Sequence, residues 1–210
     1  MDFGIALAST TESWRAVKRA EALGFKYAWF YDTQLLNPDV FVCMALAARE
    51  TKRIRLGTGV LIPSNRISPV AANGLATLAK LAPGRIDFGV GTGFTGRRTM
   101  GQGAIKLAEM ERYIAEVRGL LRGETVEALL EGEKKKIRFL NPELGLIHLD
   151  SGEDPQQVQA RAPDDQGGDH GDQPQRPVAC RIAVHAGQDP AGGDQQGDHD
   201  GRHAQLEGPH

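Results

Sequence analysis

The first 122 residues alternate short apolar runs with amphipathic ones. Strands are predicted at Phe3–Leu7, Tyr27–Tyr31, Ile54–Ile62 and Ile86–Val90, where apolar residues follow one another almost without a break. Such runs suit strands buried on both faces, as in parallel sheets. Helices are predicted at Glu12–Leu23, Asp39–Thr51, Pro69–Leu81 and about Ala104–Leu121. Trp14, Val17, Ala20 and Leu23 form a stripe at helical spacing on the first of these. Ser9 and Glu12 have the spacing of a capping box at its start, and Gly24 is placed to end it in a left-handed conformation. Pro38 precedes the second helix and Pro69 opens the third. Four strand–helix units of about 30 residues each predict a parallel sheet with right-handed crossovers. That length suits a doubly wound sheet and a (β/α)8 barrel equally.

After Gly123 the pattern changes. Val126–Leu130 and Ile137–Leu140 flank Glu131-Gly132-Glu133 and read as a hairpin or a helix-plus-strand excursion. Leu144–Leu149 is one more short apolar run, and near Asp150 the periodicity stops. Residues 151–210 hold 10 Gly, 10 Gln, 9 Asp and 6 Pro against one Leu, one Ile, no Lys and no aromatic residue. So little apolar surface does not offset the entropy of ordering the segment, which is therefore expected to be disordered. The expected organisation is a domain over 1–150 and a low-complexity tail over 151–210. A natural linker would carry Ser, Thr, Glu or Lys. The abrupt change suggests instead a frameshift near codon 150.

The net charge of −2 divides into +5 over residues 1–150 (21 Lys+Arg, 16 Asp+Glu) and −7 over 151–210 (4 Arg, 11 Asp+Glu). A positive excess spread over alternating elements gives no basic block for nucleic acid. The run Lys134-Lys135-Lys136 reads as a solvated turn. Cys43 lies in an apolar run and reads as a small buried hydrophobe. No metal site is expected: the tail's His and Asp fit neither zinc nor EF-hand spacing. The chain has neither a signal-peptide pattern nor an apolar stretch of about 18 residues, so cytoplasm is the expected compartment, without membrane partners.

Three places could carry chemistry. Gly91-Thr92-Gly93-Phe94-Thr95-Gly96 matches G-x-G-x-x-G, although it follows the fourth strand instead of the first. Its N–H groups suit an anion or a ring edge, and a dinucleotide-binding module is one reading. In Ile54–Asn65, two glycines inside a buried strand mark a bulge or a close backbone approach. Asp32 ends the second apolar run, where it is either a functional carboxylate or a cap for the following loop.

The opening FGIAL, the run AEALGFKYAWFYDTQ, the strand RIRLGTGVLIPSNRISP and the block LAPGRIDFGVGTGF together resemble the luciferase-like superfamily. Within it the chain looks most like the deazaflavin-dependent reductases similar to methylenetetrahydromethanopterin reductase. The resemblance implies a (β/α)8 TIM barrel that binds coenzyme F420 or FMN at the C-terminal ends of its strands. It implies hydride transfer or monooxygenation on a small organic substrate. It also implies a non-proline cis peptide at Gly59-Val60, with Gly59, Val60 and Leu61 backing the ring and Asn65 close by. Gly91, Thr92 and Gly93 would line the pocket edge, and Asp32 would be the catalytic candidate. Residues 126–149 match the family's insertion before the fifth strand. The expected fold is thus an incomplete TIM barrel of about four βα units, with no later strands after residue 150. Such a half barrel leaves open edges and an uncovered apolar interior, which predicts homo-oligomers. A truncated, inactive frameshift product is the competing expectation.

Overall fold

The computed structural model describes residues 1–149 and the strand at 181–184. Four βα units open the chain: β1 (Gly4–Leu7), α1 (Ser13–Ala22), β2 (Tyr27–Phe30), α2 (Val40–Glu50), β3 (Arg55–Thr58), α3 (Ser68–Leu81), β4 (Ile86–Val90) and α4 (Phe94–Thr99). Then follow α5 (Leu107–Leu121), β5 (Val126–Leu130), β6 (Glu133–Ile137) and β7 (Arg181–Val184). The large sheet is parallel in the order β1-β2-β3-β4-β7. Sequential order is the order of a barrel wall. It lacks, among the described residues, the reversal at which a doubly wound sheet holds a dinucleotide.

All four predicted strands and helices are present, with ends trimmed by a few residues. The predicted third strand is the exception: regular pairing stops at Thr58 and resumes at a single bridge between Leu61 and Val90. The region after Gly123 is an antiparallel hairpin of β5 with β6, one of the two alternatives expected there. Leu144–Leu149 is not a strand; a 3-10 turn spans Pro142–Leu144. The expectation of no strand beyond residue 150 is corrected by β7, which lies parallel to β4 in the fifth position. Its sequence Arg181-Ile182-Ala183-Val184 belongs to an apolar run of the tail. The remaining expectations for 151–210 fall outside the described residues.

The helices cover one face of the sheet. Ala28 and Phe30 of β2, Leu56 of β3 and Ile86, Phe88 and Val90 of β4 point to this side and are buried. They pack with Val17 of α1, Met44 and Ala47 of α2, Leu75 and Ala76 of α3 and Val117 of α5. Cys43 lies in this core as a small hydrophobe. The opposite, inward face departs from the expected bare apolar interior. Its positions are Gly4 and Ala6, Tyr27 and Trp29, Arg55, Gly57 and Gly59, then Asp87, Gly89 and Gly91. Arg55 donates to both carboxylate oxygens of Asp87, at 2.9 and 2.7 Å. Aromatic rings, an ion pair and glycine backbone line this face.

Two local predictions resolve differently. Gly24 ends α1 at φ +87°, with its N–H on Glu21 O and that of Phe25 on Ala20 O, a Schellman pair. The capping box is corrected: Ser9 donates to Tyr31 O, Glu12 is the cap residue, and its side chain makes no capping bond. Burial of Ser9 against β2 removes it from the helix end.

Glu21 has a role that its place on α1 conceals. Its Oε1 accepts the N–H groups of Lys52, Arg53 and Ile54 at 2.9, 2.5 and 2.9 Å, tying α1 to the entry of β3. Burial raises its pKa, but the three amides outweigh burial and hold it below the ordinary glutamate range. A depressed folded pKa gives stability that is present above the unfolded value and lost as pH falls through the folded one. Thermal melts from about pH 6 to about pH 3 are therefore expected to fall less steeply for Glu21→Gln than for the parent chain. Parallel curves would show that the carboxylate has no such role.

Candidate functional site

The C-terminal ends of β2, β3 and β4 meet around a bulge in β3. The Gly59-Val60 peptide is cis, as the resemblance implies. Gly59 N–H donates to Phe30 O of β2, and Leu61 N–H donates to Gly89 O of β4 at 2.7 Å. The bulge is thus fastened to both neighbouring strands. Thr58 Oγ1 adds a buried bond to Gly89 O at 2.7 Å. Leu61 turns its side chain into the hydrophobic core, so only its backbone faces the site. Gly91 packs on Val60: a Cβ there would lie 2.7 Å from Val60 Cγ2.

The GTGFTG segment is partly helical, a feature its glycines concealed. Gly93, at φ +81°, is the cap residue of α4, and Gly96 lies buried against Ile62. Thr92 is half-buried and its carbonyl accepts from Ile105 N–H at 3.2 Å.

Asp32 sits just after β2 with its side chain wholly buried. Four groups donate to its carboxylate: Arg66 Nη1 (3.0 and 3.2 Å), Gln34 Nε2 (3.0 Å), Ile62 N–H (3.2 Å) and Asn65 Nδ2 (3.2 Å). Those contacts occupy the acceptor directions of a carboxylate. Of the two roles open in sequence, this arrangement favours the cap, holding the loop 62–66 that leads from the bulge into α3. Asn65 closes the 3-10 turn Pro63–Asn65; its Oδ1 is buried and has no partner among the described residues.

Arg66 reaches on to Asp39 Oδ2, while Asp39 Oδ1 caps α2 by accepting Phe41 and Val42 N–H. Burial raises the Asp39 pKa, but the Val42 amide, the Arg66 guanidinium and the Phe41 amide together hold it below the ordinary range. One guanidinium therefore bridges two carboxylates at the two ends of the β2–α2 loop and lies over the Phe41 ring at 4.7 Å. Arg66 and Gln34 were not singled out from sequence. Arg66 stands in the quoted block PSNRISP, but its ion pair spans 34 residues, a separation no local spacing displays. Farther out, Ser68 Oγ donates to Glu116 Oε2, Arg112 Nε lies 3.7 Å from Glu116 Oε1, and the Tyr113 hydroxyl has no hydrogen-bond partner among the described residues. Burial pushes the Tyr113 phenol well above its ordinary pKa.

Among the described residues no group of three His, Cys, Asp or Glu could hold a metal, and no helix is long and apolar enough to cross a membrane.

Comparison with known proteins places this geometry. Residues 6–139 match the profile of the family described as luciferase-like monooxygenase. The chain is 34% identical over 113 residues to 5,10-methylenetetrahydromethanopterin reductase of Methanolobus tindarius, an alignment covering 52% of this chain and 34% of the relative. It superposes on the coenzyme F420-dependent tetrahydromethanopterin reductase of Methanopyrus kandleri with TM-score 0.56 and 27% identity, covering 64% of this chain and 44% of that one. Against monooxygenase RslO1 of Streptomyces bottropensis the TM-score is 0.57 with 26% identity, covering 68% and 49%. The chain thus spans between a third and a half of the length of these relatives. The α/β units of this chain match part of a TIM barrel. This chain belongs to the luciferase-like monooxygenase family.

Proposed function

We propose that the chain carries the β1–β4 side of a site for the planar ring of coenzyme F420 or FMN, in an oxidoreductase acting on a small organic substrate. When bound, such a ring supplies hydride transfer or, as a true flavin, oxygen activation. The observation that carries the reading is the glycine lining. Inward positions at the ends of β3 and β4 are Gly59 and Gly91, so no side chain projects from them into the barrel axis. Flat backbone is what a polycyclic ring requires of a wall. The Gly59–Leu61 backbone forms that wall, Gly91, Thr92 and Gly93 form its edge, and Asn65 lies close by, its buried Oδ1 without a hydrogen-bond partner among the described residues. Asp32 acts as a positioning residue through Ile62, Asn65 and Arg66. A second reading, ring binding without turnover, is favoured by the span: the chain covers 44% of the Methanopyrus kandleri reductase. Self-association through the edge of β1, which pairs only with β2 among the described residues, belongs to the same proposal.

Equilibrium dialysis of the full chain against coenzyme F420, FMN and NAD tests it. Saturable binding of F420 or FMN, with none of NAD, is expected. A folded chain that binds neither ring up to about 1 mM, a binding energy of only about −4 kcal/mol, would sink the reading. Turnover of reduced ring by the bound form separates the active reading from the inactive one.

A further inference from the structure

The inward face contains one large side chain at the level where the strands begin to diverge into the site. Trp29 stands in register with Ala6 of β1 and Gly57 of β3. A Cβ added at Gly57 would lie 2.4 Å from Trp29 Cζ3, and one at Gly59 would lie 2.9 Å from Trp29 Cβ. At Gly89 the same ring edge would be 3.5 Å away, and at Gly4 the indole nitrogen would be 3.5 Å away. One indole therefore reaches across from β1 to β4, over Gly4, Gly57 and Gly89. Glycine inside a strand weakens it, having no side chain to pack. An aromatic ring of this size buries enough surface to offset several such losses.

Below Trp29, toward the N-terminal ends of the strands, the interior is filled. Tyr27 stacks on the indole at 6.1 Å with 13° between planes. The Arg55–Asp87 pair lies beyond, with Asp87 buried. Above Trp29 the next inward positions are Gly59 and Gly91, which project no side chain of their own; the Val60 side chain packs against Gly91. The indole is half-buried, with Tyr27 against one face and the glycines of β1, β3 and β4 beneath it. It divides a packed interior from the glycine-walled space.

We propose that Trp29 is the floor of the ring site and a specificity-determining residue, fixing how deep a flat heteroaromatic ring enters between β3 and β4. The proposal rests on the ring-binding reading above. Trp29 and the glycines at 57, 59 and 89 then form one device: the glycines make room for the indole, and the indole gives the pocket a flat, dry end.

The test uses the full chain with Trp14→Phe, which leaves Trp29 as the single tryptophan. FMN and coenzyme F420 are the probes, with bound ring measured by dialysis and Trp29 followed by its emission. Bound ring is expected to remove most of the Trp29 emission, and more than it removes from Trp14 in a Trp29→Phe protein. Trp29→Ala is expected to weaken ring binding at least about tenfold, and Trp29→Phe by less than about threefold, since a smaller flat floor remains. Unchanged affinity in Trp29→Ala, with unchanged Trp29 emission on binding, overturns the proposal and leaves the ring-binding reading standing. Absence of saturable binding to the folded parent overturns both. Should Trp29→Ala not fold, Gly57→Ala reads the same floor from beneath. Its Cβ displaces the indole, so emission is expected to shift and affinity to fall at least about threefold; equal affinity overturns the proposal.

Discussion

Arg66→Ala is expected to lower the unfolding free energy by about 3–5 kcal/mol, the usual cost of removing one partner from a buried ion pair. The Asp32 side chain is 0% exposed and that of Arg66 is 10% exposed, so water cannot take the place of the guanidinium. Removal leaves Asp32 with Gln34, Ile62 and Asn65 as its donors, all uncharged. It also frees Asp39, whose side chain is about half exposed and can rehydrate. The loss should therefore come almost entirely from Asp32. Asp32→Asn in the Arg66→Ala background is expected to return a large part of the stability, because an amide in that place carries no uncompensated charge. Arg66→Lys should fall between: it keeps the charge but cannot bridge two carboxylates with one planar fork. Urea unfolding of the four proteins measures this directly. A loss under about 1 kcal/mol for Arg66→Ala would mean that the loop 62–66 is held by its backbone contacts alone. Ring binding should fall with stability in this series, since Ile62 and Asn65 lead directly from the bulge.

The wall of the barrel was legible in sequence because it rests on local signals. Near-continuous apolar runs gave β1 to β4, and helical stripes with Gly24 as a stop gave the helices between them. The bulge was legible for a related reason: glycines at 57 and 59 contradict a buried strand, and only a backbone need explains them. What sequence concealed depends on contacts between distant segments. The Asp32–Arg66–Asp39 bridge ties the β2–α2 loop to the β3–α3 loop, and the Glu21 carboxylate serves the start of β3 from the side of α1. Ser9 had the right spacing for a capping box, but a bond to β2 took its hydroxyl. The fifth strand was missed because Arg181–Val184 is short and stands inside a polar segment, so its place beside β4 is a tertiary choice. The inward face was misjudged because the expected bare interior ignored register. Once Trp29 aligns with Gly57, one ring covers three strands.

Gly89→Ala is the second large effect, again at about 3 kcal/mol or more, the range of steric damage in a packed core. Glycine here has no unusual φ to satisfy; it is needed because β3 comes too close. A Cβ would lie 2.2 Å from Thr58 O, a backbone atom that cannot rotate away. Thr58 immediately precedes the bulge, and its Oγ1 both donates to Gly89 O and accepts from Gly89 N–H. Relief requires β3 and β4 to part, which breaks those two bonds and the bond from Leu61 N–H to Gly89 O. Gly91→Ala is the informative control. Its Cβ would meet Val60 Cγ2 at 2.7 Å, a side-chain methyl on a half-buried residue that has room to turn. Its cost is expected near ~1 kcal/mol, the common size of a tolerated substitution. The two alanines thus separate fold from site. Gly89→Ala should unfold at markedly lower urea, whereas Gly91→Ala should stay folded and lose ring binding, because its new methyl and the displaced Val60 stand where the flat edge was. Equal stability for both variants would show that β3 and β4 can slide apart without loss, and the tight seam would then have no part in holding the bulge.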